Sequence, residues 1–318
     1  MNYPKRSQYK YAKTPYRMRN WAEYEAALRR RGEVTLWFSE DAIKCWRAPG
    51  SGKPGGQLVY ANVAIETALT VRIVFHLPLR QTEGFLRPLA DTLELNIPIP
   101  DHTTLSRRGQ KLGKLPVCLP ARSRPVHILI DSTGLRIHVG NCGRVPKRRA
   151  WRKLHLAVDS KTGDVVASVL SSHQARDASR VPALLEQIGR PLASARADGA
   201  YDTEGVYEAI QARGEGRTVR IFIPPSRGAQ LRRKPSSALK ERNRNIRSIG
   251  KLGRRGWHSR SGYSRRSMVE NTIYRYKRII GREMRARTLA GQTAEMRIGS
   301  KILNTMTSLG MPDSYRAG

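Results

Sequence analysis

The chain has 318 residues, with 59 Lys plus Arg against 25 Asp plus Glu and a formal net charge of +34. That length holds one large core or two smaller ones, and the excess charge, far beyond what solubility needs, points to a polyanionic partner, with nucleic acid first. The three cysteines, Cys45, Cys118 and Cys142, form no CxxC and lack zinc-site spacing, and no run of about 18 apolar residues spans a membrane, so a soluble intracellular protein with reduced thiols and no membrane partner is expected.

In chain order, residues 1–20, "MNYPKRSQYKYAKTPYRMRN", read as a flexible basic arm without the apolar core of a secretory signal. Residues 21–120 form a helical, helix-turn-helix-like region. Its first clear helix carries Ala64, Ala68, Val71 and Phe75 at helical spacing, and a second periodic run from Leu79 to Leu95 is offset or kinked by Pro88. "GSGKPGGQ", Gly50 to Gln57, is a loop; Pro54 after Lys53 breaks the spacing of a phosphate-binding loop. In "PDHTTLSRRGQKL", Asp101 or Thr103 caps a short helix. Its Thr103, Thr104, Ser106, Arg107, Arg108 and Lys111 are candidates to reach DNA; the other reading is a helical bundle with a solvated basic face.

After Pro125 strands and helices alternate. "VHILID" is a short strand ending on Asp131, and "KLHLAVDSKTGDVVASVLS" is a hairpin around Lys161-Thr162-Gly163-Asp164. "DASRVPALLEQIG" reads as a helix, "SARADGAYD" as a strand ending at Asp198, "TEGVYEAIQARG" as a helix and "TVRIFIPP" as a further strand. Three hairpin-connected strands followed by two strands separated by helices predict an α/β, ribonuclease-H-like mixed sheet flanked by helices over residues 121–310. Between Arg227 and Arg287, 20 basic residues face three acids, Glu241, Glu270 and Glu283, half of the net charge of the chain. Residues 227–262 show no clear period and are expected to be irregular until they meet DNA. There, Arg254 and Arg255 are phosphate candidates, and Trp257 is either a platform for an unpaired base or a packing anchor.

The acids carry the chemistry. Asp131 and Asp198 each follow an apolar strand where a ligand crevice opens, although a strand-end acid also serves as a turn or cap residue. On a helix of about 100° per residue, Tyr263, Arg266, Glu270 and Lys277 fall on one narrow stripe beside an apolar stripe of Val269, Ile273, Tyr276 and Ile280. The plain alternative for Glu270 is helix-stabilising pairing with Arg266.

The spacing Tyr263, two residues, Arg266, three residues, Glu270, six residues, Lys277 matches the Y-(2)-R-(3)-E-(6)-K signature of bacterial insertion-sequence DDE transposases. The chain also resembles the insertion-sequence five family in "LRQTEGFLRPLADTLEL", "PDHTTLSRR", "IDSTGLRI", "RRAWRKLHLAVDS", "ADGAYDT" and "LGMPDS". The resemblance implies a DDE triad of Asp131, Asp198 and Glu270, supported by Tyr263, Arg266 and Lys277. It implies a cytoplasmic, nucleoid-associated enzyme acting on double-stranded DNA, at least dimeric on its substrate, that cuts the ends of an element and joins the 3′ ends to a target. Three carboxylates suit two Mg²⁺ ions, or Mn²⁺ in their place, because hard octahedral cations prefer oxygen ligands. A DNA-binding regulator without catalysis, or an inactive remnant, is the alternative.

Overall fold

The alternation of strand and helix patterns after Pro125 comes out as one mixed sheet covered by helices on both faces. The computed structural model describes residues 15–50, 52, 54–113, 124–138, 151–226 and 228–317. In chain order the elements are β1 (Tyr16–Met18), α1 (Trp21–Arg30), α2 (Glu40–Lys44), α3 (Asn62–Val74), α4 (Leu79–Thr92), α5 (His102–Leu112), β2 (Val126–Ile137), β3 (Trp151–Asp159) and β4 (Val165–Ser172). Then follow α6 (Val181–Leu185), β5 (Leu192–Arg196), α7 (Glu204–Ala212), β6 (Arg220–Phe222), α8 (Leu239–Ser261), α9 (Ser267–Ile279), β7 (Glu283–Met284), α10 (Leu289–Leu309) and β8 (Ser314–Arg316).

The sheet order is β4-β3-β2-β5-β6, with β7 paired to the far end of β2. β3 runs antiparallel to both β2 and β4, whereas β5 and β7 lie parallel to β2 and β6 parallel to β5. Three antiparallel strands followed by two parallel ones is the order of elements expected from the sequence. Side chains alternate across a strand, and β2 uses both faces. Val126, Ile128 and Ile130 enter a core with α6, α7 and the start of α8, while Leu129 and Leu135 enter a second core with α3–α5, α9 and α10. The N-terminal helices therefore share a hydrophobic core with the sheet. Among the described residues no single helix is long and apolar enough to cross a membrane.

Several local expectations change. β2 is twelve residues long and runs through Gly134, so Asp131 lies in mid-strand rather than at a strand end. Residues 16–18 of the expected arm pair with 314–316, while residues 1–14 lie outside the described residues, as do Cys118, Cys142 and two residues of the Gly50–Gln57 loop. α4 continues through Pro88. The helix expected around residue 180 divides into a 3-10 turn, Asp177–Arg180, and α6. The segment expected to be irregular contains α8, two helical stretches that meet at Gly253, because Leu239, Glu241, Asn243 and Asn245 bury one side of the first stretch while Lys240, Arg244, Arg247 and Lys251 stay in water. The connection from Leu93 to Asp101 between α4 and α5 is longer than the three- to four-residue turn of a helix-turn-helix.

Asp101 caps α5. Its carboxylate accepts the amides of Thr103 and Thr104 at 2.8 and 2.9 Å and both of their hydroxyls. These bonds hold its carboxyl well below the usual carboxylate range. Asp101→Ala is expected to destabilise the chain by about 1–2 kcal/mol with Asp101→Asn close to the parent, as read by urea titration at neutral pH. The parent's advantage over Asp101→Ala should shrink as the pH falls through the acid range, since a depressed carboxyl contributes only while ionised.

On β3, fully buried His155 meets the Ser171 hydroxyl at 2.8 Å, and burial pushes its ring down to about 4. The unfolded chain takes up this proton near pH 6.5 and the fold resists it, so stability should fall as pH drops from about 6.5 towards 4. His155→Gln should flatten the dependence of thermal midpoint on pH in that window.

Candidate active site

The β2–β5 register assembles the first two acids. Leu129 pairs with Arg196 in the parallel ladder. Extending both chains by two residues brings Asp131 level with Asp198 on neighbouring paths, which lie about 4.8 Å apart in a sheet. Asp131 shares its face of β2 with Leu129, and Leu129 packs in the core that contains Val269 and Tyr276 of α9. That face is therefore the one α9 covers, with Glu270 in the helix's first turn. Asp198 sits just beyond β5, where it accepts the amide of Ala200 at 2.9 Å and caps a 3-10 turn, Gly199–Tyr201.

Arg266 joins the acids. One guanidinium nitrogen donates to Asp131 Oδ2 at 3.1 Å and the other donates to Glu270 Oε1. Its guanidinium lies 6.0 Å from the centroid of the Tyr263 ring, whose hydroxyl donates to the carbonyl of Ala197 at 3.2 Å. Tyr263 and Arg266 do not share a continuous α-helix with Glu270 as the spacing suggested. Gly262, at φ +60°, ends α8 in the left-handed conformation, and the chain restarts as a tight 3-10 turn, Tyr263–Arg266, before α9. Arg266 still reaches Glu270 one turn on. Lys277 lies seven residues beyond Glu270, about 10 Å further along the axis; burial, then Arg282, lower its ammonium. The structure thus brings Asp131, Asp198, Glu270, Arg266 and Tyr263 together, with Lys277 two turns along the same helix.

Burial pushes the Asp131 carboxyl up, against the amide of Ser132 and Arg266, and the charges of Asp198 and Glu270 push it further. Against its own burial, Tyr263 and then the same acids raise Arg266. Such mutual repulsion favours uptake of a cation, and an all-oxygen donor set suits a hard divalent ion. In the arrangement described, the guanidinium holds Asp131 and Glu270, and among the described residues no three acidic, His or Cys side chains already stand as a metal cluster. The donor chemistry fits a divalent metal, with Arg266 the group that must share the acids with it.

The other expected contacts divide. Trp257 is buried, its ring centroid 5.2 Å from Tyr263 and 5.4 Å from His258, so it packs behind the site and presents no open face to a base. The hydroxyls of Thr103 and Thr104 are committed to Asp101. Arg108 donates to the carbonyl of Tyr60 and to Asn62 Oδ1, pinning α5 to the start of α3. Arg254 donates to the carbonyl of Pro225 at 2.8 Å. Ser106, Arg107, Lys111 and Arg255 are exposed. Asp202 forms a part-buried pair with Arg242, whose Nε and Nη2 donate to its two carboxylate oxygens at 3.0 and 3.2 Å, while Thr203 is the N-cap of α7.

Sequence reasoning passed over Arg196. Arg196 is buried in β5, where it donates to Ser194 Oγ and to the carbonyl of Ser261, tying the strand before Asp198 to the turn before Tyr263. A lone cation within the otherwise apolar "LASARA" was its signal. Tyr201 is buried three residues after Asp198, and its hydroxyl is pushed up by burial and by Asp177, Asp131 and Asp198.

A family model described as "Transposase DDE domain" matches residues 122–304, more than half of the 318-residue chain. The chain belongs to the DDE transposases. A second model of the same description matches residues 29–140, so the family resemblance extends over the helices before the sheet. Among solved structures, the transposase is similar to "Cryo-EM structure of piggyBac transposase synaptic complex with hairpin DNA (SNHP)" at 12% identity, covering 93% of this chain and 78% of that one with a TM-score of 0.39.

In this transposase, Arg266→Gln removes the cation that opposes the rise of Asp131. The Asp131 carboxyl should then titrate at higher pH than in the parent, read by carbon-detected NMR of labelled aspartate, whereas Lys277→Gln should leave that midpoint in place.

Proposed function

We propose that this transposase binds the terminal inverted repeats of an insertion sequence, cuts DNA at the element ends and joins the 3′ ends to target DNA. The observation that carries this reading is the convergence of Asp131, Asp198 and Glu270 on one side of the sheet in a chain of net charge +34. Asp131, Asp198 and Glu270 would hold two divalent ions, Mg²⁺ with Mn²⁺ as substitute, which supply an activated oxygen nucleophile and offset charge on the leaving oxygen. Arg266 keeps two of the carboxylates in place before substrate arrives, and Tyr263 ties their helix to the strand end at Ala197. Lys277 is a phosphate contact at the far end of the stripe.

Ser106, Arg107 and Lys111 on the exposed side of α5 fit an end-binding role, in which base-edge contacts select the repeat and cations hold its backbone. Two ends cut in concert call for at least two copies of the chain on double-stranded DNA, within the bacterial cytoplasm and nucleoid. The assignment to the insertion-sequence five family rests on the motifs quoted above.

Neutralising a metal ligand removes several kcal/mol of charge stabilisation, so Asp131→Asn, Asp198→Asn and Glu270→Gln should each lower end cleavage by about a thousandfold. Binding to end DNA should persist, because affinity comes mostly from cations on phosphates. Cleavage on labelled end duplexes beside gel-shift binding reads both. Near-parental cleavage by one variant removes that acid from the triad; binding by a parent that never cleaves with Mg²⁺ or Mn²⁺ supports the non-catalytic alternative.

A further inference from the structure

α8 places Lys240, Arg244, Arg247 and Lys251 on one exposed stripe, spaced at four, three and four residues. On a period of 3.6 residues they fall within about 60° of one another and extend over about 16 Å, the length of roughly five base pairs at 3.4 Å each. Arg244 touches Glu241 within the helix, and Glu241 is itself buried against β6, where it accepts the amide of Ile221 and the side chain of Arg220. Among the described residues Lys240, Arg247 and Lys251 have no acidic partner in ion-pair range.

The helix that presents these cations is held rigidly. Asn245 Nδ2 donates to the carbonyl of Ile221 at 2.8 Å, and Asn243 exchanges two bonds with the backbone of Arg232 at 2.8 and 3.0 Å. Binding along the stripe therefore needs little ordering of the backbone, unlike binding to an irregular basic tail.

The stripe leads towards the acids. At Gly253, φ +66° and ψ 168°, the helix breaks. The next residue, Arg254, bonds Pro225, and the carbonyl of the adjacent Pro224 lies against Gly199, beside Asp198. Beyond the break, Trp257 packs on Tyr263. The two stretches of α8, joined at Gly253, thus connect the cation row to both flanks of the carboxylate site.

We propose that Lys240, Arg244, Arg247 and Lys251 form a rail for the phosphate backbone of duplex DNA, holding the segment that flanks the bond at the carboxylate site. This surface rests on the transposase reading and extends it to residues outside the triad and α5. Charge complementarity selects the occupant: an exposed row of four cations on a fixed helix matches a regular polyanion.

The test uses the full chain. Lys240, Arg244, Arg247 and Lys251 are replaced together by Gln, and a control of equal charge loss replaces the dispersed exposed residues Arg29, Lys44, Arg217 and Arg278 by Gln. Affinity for end DNA is measured across a salt series, with circular dichroism to confirm folding and the pair Arg247→Gln/Lys251→Gln as a milder variant. The four-residue stripe variant should reduce the magnitude of the slope of log K against log salt by about 3–4, the pair by about half of that, and the control by less than one, since each lost phosphate contact removes about 0.9. Equal flattening by control and stripe, or a parental slope in the stripe variant, overturns the rail while leaving the transposase reading standing. A parent that binds no end DNA at any salt overturns both.

Discussion

The parallel pairing of β2 with β5 is the constraint on which the site depends. It fixes Leu129 against Arg196, and everything that brings Asp131 beside Asp198 follows from that register. A slip of one residue would turn Asp131 into the opposite core, among Ile128 and Ile130, where a carboxylate has no partner. The slip is opposed from both sides because β2 is packed on both faces, so a wrong register would misplace two cores at once. The buried Arg196, bonded across to Ser261, adds a polar lock at the same level.

Against that frame, the sign of local charge runs opposite to the sign of the whole molecule. The chain is strongly basic, yet at its centre burial raises Asp131, with the charges of Asp198 and Glu270 adding to the rise. One guanidinium, aligned by the Tyr263 ring and by the bonds it makes, lets Asp131 and Glu270 stay close. The aromatic packing of Trp257, His258 and Tyr263 behind it gives the turn a rigid back wall. The acids and the exposed cations of α8 thereby occupy separate, adjoining regions.

Much of this was legible in the sequence, for identifiable reasons. The hairpin around Gly163 and the alternation of later strands and helices were marked by turn residues and by apolar period. The extent of β2 was hidden because "DSTG" carries turn-type residues, while β3 and β7 supply the pairing that keeps it extended. The 3-10 turn at Tyr263 was hidden because an ideal period ignores the left-handed Gly262. α8 was hidden because its buried side is made of Leu, Glu and Asn, and polar residues become core-facing only when β6 offers them backbone partners. For Trp257 the sequence offered two readings, base platform or packing anchor, and its burial against Tyr263 and His258 agrees with the anchor.

The small ribbon of β1 and β8 ties residues from opposite ends of the sequence. Tyr16 faces Arg316 across the ladder, and the amide of Ala317 donates to the carbonyl of Pro15 at 3.0 Å. Positions 15 and 317 are thus neighbours, although the whole molecule separates them along the chain. A circularly permuted version, closed between these positions by a few glycines and reopened in the exposed loop before α8, would keep the pairing of every sheet strand. Connectivity at this edge is topologically interchangeable, so the order in which the elements emerge during synthesis can be changed without altering the arrangement they reach.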